Sequence, residues 1–420
     1  MAQLEYINYV PHRAVVLAQR VEWLRDFTHP LSGLPQIFWS DGTPWAEANH
    51  WALDKARSGD VKLKTVQSLM KHLHQYASWI EEGSMDWRHF PMRKSDRVLV
   101  VFRGALVAAR NAGHLRPSTA TARMRAVIQF YRHCNLHNFV TRGAPMWKDK
   151  LIVMRYYDSC GFERTMGVLS TDLSIPNRAR PGVRLEGGLL PISASEMNEL
   201  LKFTSENVCE ELHLILMTGF FTGARLETIT TLRVESLETA STDPLVPGMW
   251  KIRVGPGTVV ATKGDVSGSI LVADQLMRRL MQYAYSSHRI KRVEKAAKED
   301  KSRLFLTRFS NPYGHSAISR GMTELRRIAS QHALKFMKNF RFHQSRATFG
   351  TWLMSILLGV PGIKVKTAIE FVRDAMLHAR EADTMRYITF LEHTRAKIEI
   401  ANAFSEAFLG IASRLGDRNA

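Results

Sequence analysis

The segment Arg341–Phe390 opens RFHQSRATFGTWLM and closes FVRDAMLHAREADTMRYITF, the second block beginning at Phe371. His343 and Arg346 stand three apart, a spacing that puts both on one face of a helix. His378 follows, and Tyr387 comes nine residues later (387 − 378 = 9), in an otherwise apolar-periodic region. An arginine cannot lose its charge, histidines carry protons, and a tyrosine offers a hydroxyl. Together they make a set able to hold a phosphate and present an oxygen to it.

Outward from this segment the chain supplies further cations. Leu212–Thr222 reads as an apolar helix running into Gly223-Ala224-Arg225, within TGFFTGARLETITTLRVESL. A glycine there lets backbone approach a neighbour closely. Two strand-like runs follow, Trp250–Val254 and Thr258–Lys263, then the turn Gly264–Gly268 and a third strand, Ser269–Val272. Lys263 falls at the tip of this predicted sheet. In order, then, the chain offers Arg225, Lys263, His343, Arg346, His378 and Tyr387. This ordered set resembles the catalytic series of the tyrosine recombinase (phage integrase) family, closely over about residues 190–395 and loosely over 60–150. Two positions depart from the family pattern. Thr228 stands where an acidic residue is usual, with Glu227 one place earlier, and Leu377 stands where a glycine usually precedes the second histidine. The stretch between Arg346 and His378, with GVPGIKVKT in its middle, is also longer than usual.

The resemblance implies a chemistry. Tyr387 would attack a DNA phosphate to give a 3′-phosphotyrosyl link, Arg225 and Arg346 would clamp the non-bridging oxygens, and Lys263 would protonate the leaving 5′ oxygen. His343 would assist proton transfer from the tyrosine, and His378 would donate to the phosphate. No metal, cofactor or ATP is implied. The expected partners are double-stranded DNA carrying specific sites, three further copies of the chain in a tetramer, and accessory DNA-bending proteins, and the expected role is integration or excision of a mobile element. Two other readings stay open: a type IB topoisomerase, which shares the tyrosine and the cations, and a catalytically silent recombinase-derived DNA-binding protein. A metal-dependent nuclease is disfavoured, because the region lacks clustered carboxylates.

The expected fold is mainly α with a small antiparallel β-sheet: a helical core-binding domain followed by a mixed α/β catalytic domain. Residues 1–57 read as a lead-in of unclear role, with a turn at Trp39–Pro44. Residues 58–168 carry three helical patterns. The first runs from Leu63 to Ile80 with Gly83 as its stop, the second from Val98 to Ala109, and the third starts after Arg116-Pro117 with Ser118 as its cap. Lys64, Arg116, Arg123 and Arg125 on these helices are candidate phosphate contacts. Residues 169–192, with three prolines and several arginines, read as a basic linker, and Ser193 with Glu196 as a capping box opening the catalytic domain (193–395). The strongly charged 286–303 reads as a solvated helix face, with a phosphate-tracking strip as the alternative. Residues 396–420 read as an amphipathic helix, which in the family commonly docks on a neighbouring subunit.

Composition agrees. Lysine and arginine total 58 against 39 acids, a net charge of +19, which favours a polyanionic partner. No apolar run approaches a membrane span and no secretory leader is evident, so a cytoplasmic protein is expected. The three cysteines, Cys134, Cys160 and Cys209, form no disulfide framework. His133, Cys134 and His137 cluster, but no second ligand pair follows at zinc spacing, so packing is expected there and no metal.

Overall fold

The computed structural model describes residues 1–17, 20–27, 30–157, 163–177, 185–186, 188–244 and 246–416, with side chains at all of these except 17, 154, 156–157 and 403–416. The chain divides into two compact units, Met1–Pro181 and Gly182–Ala420. Both are mainly helical with small antiparallel sheets.

The first unit opens with four strands. β1 (Gln3–Tyr9) pairs with β4 (Leu31–Phe38), and β2 (His12–Leu17) pairs with β3 (Arg20–Arg25), both antiparallel. Then come α1 (Ala46–Arg57), α2 (Leu63–Glu82), α3 (Val98–Asn111) and α4 (Pro117–Leu136), followed by the hairpin β5 (Asp149–Tyr157) and β6 (Glu163–Thr171). α2 forms because Val66, Met70, Leu73, Ala77 and Ile80 make one apolar stripe, and all five are buried. Its left-handed stop is Ser84 (φ 49°), not Gly83, and the Met85 N–H closes the turn on the Ile80 carbonyl at 3.0 Å. α4 starts two residues earlier than its sequence suggests. Arg116 is the cap and Pro117 the first helical residue, where a missing N–H costs nothing.

Part of residues 1–57 joins the core of this unit. Ile37, Trp45, Ala48 and Trp51 pack in one cluster with Tyr76 of α2, Phe102 of α3 and Phe130 and Tyr131 of α4. The hairpin β5–β6 ends inside the predicted linker, at Thr171. The central part of that linker, 178–184 and 187, lies outside the described residues.

The second unit begins with α5 (Ala194–Asn207), where Ser193 and Glu196 make the predicted capping box. α6 (Glu210–Thr222), α7 (Leu226–Thr231) and α8 (Val234–Glu238) lead to the sheet β7 (Ser241–Thr242), β8 (Met249–Val254) and β9 (Gly268–Ala273), in the order β7-β8-β9. Thr258–Lys263 is not a strand. Gly255-Pro256-Gly257 turns the chain back, and the Gly255 N–H bonds the Val260 carbonyl at 2.9 Å, closing a tight loop before pairing can extend. After α9 (Asp274–Ala284), α10 (Ser287–Lys295) and α11 (His315–Gln331) come α12 (His343–Gly359), α13 (Val365–Ala375) and the unbroken 36-residue α14 (Glu381–Gly416).

α10 falls in the charged run 286–303, yet it is not a wholly solvated face. Arg289 is buried, and its guanidinium donates to the carbonyls of Ala284, Lys301, Arg303 and Leu304. Among the described residues no helix is long and apolar enough to cross a membrane.

Candidate active site

All the predicted residues but Lys263 are delivered at or near the ends or by the first turns of helices. α6 ends in Gly223, whose φ of 62° ordinary residues resist; a Cβ there would lie 2.3 Å from the Phe349 ring. Arg225 follows as the cap of α7. Lys263 sits exposed in the turn between β8 and β9. His343 and Arg346 occupy the first turn of α12, His378 follows α13, and Tyr387 lies in the second turn of α14.

Arg225, Lys263, His343 and His378 line one cleft of about 270 Å³, joined by Leu185, Glu186, Asp383 and Arg386. Arg346 and Tyr387 sit behind this lining, each 1% exposed. All three donor groups of Arg346 are engaged: Nη1 with the Gly223 carbonyl at 2.5 Å, Nη2 with the Met376 carbonyl at 2.7 Å, and Nε with the Glu186 carboxylate at 2.8 Å. Gly223 therefore serves the arginine of α12 through its carbonyl as well as placing Arg225.

Glu186 is the residue that sequence reasoning missed. Its Oε1 accepts from Arg346 Nε and from the Tyr387 hydroxyl at 3.0 Å, and lies 3.5 Å from His378 Nε2. It stands with a positive φ of 34°. The only hint in the sequence was an acid alone among arginines and glycines. Burial pushes its carboxyl up, but the bonds from His378 and Arg346 outweigh that and hold it well below the usual carboxylate range. The same burial, with the Glu186 charge, pushes the Tyr387 phenol far above its ordinary value, so the hydroxyl stays protonated at rest. Burial also lowers the His378 imidazole. Its Nδ1 shares a 2.8 Å bond with the Thr384 hydroxyl, and its ring stacks on Tyr387 at 6.0 Å and 23°. Tyr387 fits because α12 carries Gly350 opposite, where a Cβ would lie 2.5 Å from the tyrosine ring.

Leu377 takes φ 52°, the conformation glycine adopts freely. Its side chain seats over Gly268 of β9, where a Cβ would lie 2.4 Å from it, and its carbonyl accepts from Arg225 at 3.3 Å. A glycine opposite thus makes room for the leucine. Thr228, where an acid was usual, is buried within α7.

The four candidate phosphate contacts lie in the first unit. Lys64, Arg116 and Arg125 are exposed. Arg123 is half-buried, with its Nε enclosed and without a hydrogen-bond partner, and shares no face with Arg125 two positions on.

No family model and no curated protein matches this sequence. Solved structures do. The Tn1549 transposon integrase in complex with transposon right-end DNA aligns at TM-score 0.51 and 14% identity, over 84% of this chain and 98% of that one. The same integrase with a circular-intermediate DNA aligns equally, at 0.51 and 14%, over 84% and 98%. The chain has the tyrosine recombinase fold. A lambda integrase dimer bound to a COC′ core site aligns at 0.47 and 13% identity, over 81% of this chain and 94% of that one. Within this fold, Arg346, Tyr387 and His378 meet at Glu186, and Arg225, Lys263 and His343 line the same cleft.

Proposed function

We propose that this chain is a site-specific DNA recombinase that cleaves and rejoins strands through a covalent link to Tyr387, in the integration or excision of a mobile element. The observation that carries this is the meeting of the Tyr387 hydroxyl, Arg346 and His378 at a single carboxylate oxygen, beside a cleft lined by Arg225, Lys263 and His343. A hydroxyl held where cations converge on an anion is a nucleophile beside an anion site.

In the resting chain Glu186 supplies the anion. A phosphodiester entering the cleft offers oxygens to the same donors, and Glu186 then gives up Tyr387 to it. The tyrosine oxygen forms its bond to phosphorus as the bond to the 5′ oxygen breaks. Arg225 and Arg346 stabilise the charge that builds on the non-bridging oxygens, and Lys263 gives a proton to the departing oxygen. His343 relays the tyrosine proton and His378 donates to the phosphate. The bond energy stays in the phosphotyrosyl link, so a second strand can displace the tyrosine without ATP. Lys64, Arg116, Arg123 and Arg125 contact DNA phosphates, with Arg123 contributing least because it is half-buried, and four chains assemble on paired sites.

Covalent trapping tests this reading. The protein is incubated with fragmented host DNA in EDTA and denatured, and attached DNA is recovered, with Tyr387→Phe in parallel. Attached DNA is expected with the wild type alone, and sequencing it names the target. Attachment surviving the substitution would put the nucleophile elsewhere. Cleavage without attachment, seen only when magnesium replaces EDTA, would favour a nuclease.

A further inference from the structure

The first unit holds three histidines that no step of strand exchange uses. His133 and His137 lie one turn apart at the end of α4, the i, i+4 spacing that aims two imidazoles from one helix face. The third, His50, comes from α1, 83 positions away, and its Nδ1 lies 3.0 Å from His133 Nε2. One ring nitrogen from each of the three falls within 4.8 Å of the others. We propose that His50, His133 and His137 bind a divalent metal ion of the zinc type, tying α1 to the end of α4.

Six features of the cluster favour a ligand set over chance packing. Tetrahedral bonds of about 2.0–2.1 Å place neighbouring ligand nitrogens about 3.3–3.4 Å apart, and the His50–His133 pair is already near that separation. Behind the buried His133, Nδ1 faces Asp54 Oδ2 at 3.7 Å. A proton held on that side leaves the Nε2 lone pair free towards His50, the arrangement by which carboxylates orient metal-binding imidazoles. Asp54 stands one turn after His50 on α1, so each helix brings a pair at the same spacing. His50 and His137 are exposed, which gives an ion a way in and leaves a fourth position for water. Phe139 packs edge-on to His50 at 5.4 Å and stacks on His137 at 5.6 Å, restraining both rings. All three donors are nitrogen, which suits zinc, nickel or copper and not magnesium or calcium.

The test uses the full chain, stripped with EDTA, desalted and dialysed against zinc chloride or cobalt chloride. One ion per chain is expected, with cobalt giving the visible absorption of a four-coordinate site and zinc raising the melting midpoint. His50→Ala and His137→Ala replace exposed side chains, so the fold survives, as circular dichroism would verify; each should weaken uptake roughly tenfold or more. A His343→Ala/His378→Ala chain lacks the cleft histidines and should retain full uptake. No uptake by the wild type, uptake undiminished by His50→Ala and His137→Ala together, or uptake lost only with the cleft histidines would each overturn the proposal.

Discussion

Tyr131 and Tyr387 are both buried phenols, and their surroundings make them opposites. Tyr131 donates to the Trp87 carbonyl at 2.5 Å and shares a 2.7 Å bond with Tyr76, inside a shell of Trp87, Phe90 and Phe130. No charged side chain hydrogen-bonds it in that shell. Tyr387 donates to a carboxylate that also takes a buried arginine. Burial raises both phenols well above their ordinary values. Burial therefore does not separate the structural Tyr131 from the proposed nucleophile, Tyr387. What separates them is whether the hydroxyl's partner can be exchanged. A backbone carbonyl in a packed core cannot leave, whereas a carboxylate at the edge of a cleft can be displaced by another anion.

The contrast can be broken by experiment, most severely at the hydroxyls themselves. Tyr387→Phe should lower covalent DNA attachment by roughly 10⁴-fold or more while leaving the melting midpoint nearly unchanged. A chain that still attaches DNA, or one that unfolds, would erase the distinction. The two arginines come next. Arg346→Ala leaves Glu186 without its main partner and should cost about 3–5 kcal/mol of stability as well as activity. Arg225→Ala should lower activity about 10²–10³-fold with little change in a denaturant melt, since this arginine lines the cleft. Third, Tyr131→Phe should cost about 1–3 kcal/mol by orphaning the Trp87 carbonyl. The attachment rate of the folded fraction should not change.

The smallest effect is in pH dependence. The folded chain holds the His378 imidazole below its ordinary value, chiefly by burial, so below about pH 6.5 the unfolded chain takes up the proton more readily. Stability then falls with acidification from that point. Glu186 is also held low, so its contribution is present above its ordinary carboxylate range and is lost only at more acid pH. Melts at pH 7 and pH 5 should differ more in the wild type than in His378→Gln. Equal differences would show that His378 does not carry this dependence.

Much of the site was legible because Arg225, Lys263, His343, Arg346, His378 and Tyr387 follow one another in a recognisable order, and the three-residue spacing of His343 and Arg346 put that pair on one helix, α12. Glu186 was not legible. It meets Arg346 and Tyr387 across 160 and 201 positions, and no local spacing reports a contact of that range. The loop after β8 was misread because Thr258, Val259 and Val260 favour strand, yet the glycines before them turn the chain first. The strands of residues 1–38 were missed for another reason. Most described side chains of β2 and β3 are exposed, so no alternation between core and water marks them. The histidine cluster was half visible: the α4 pair could be read, and its third member could not.

The proposed nucleophile stands at one end of the longest described helix of the second unit. Tyr387 is rooted in the second turn of a helix about 54 Å long, and from Arg395 to Asn402 every described side chain, including Ile398 and Ile400, is exposed. A rod gripped at one end and exposed over residues 395–402 is a handle. A force on that exposed stretch would reach the phenol through the backbone hydrogen bonds of a single helix.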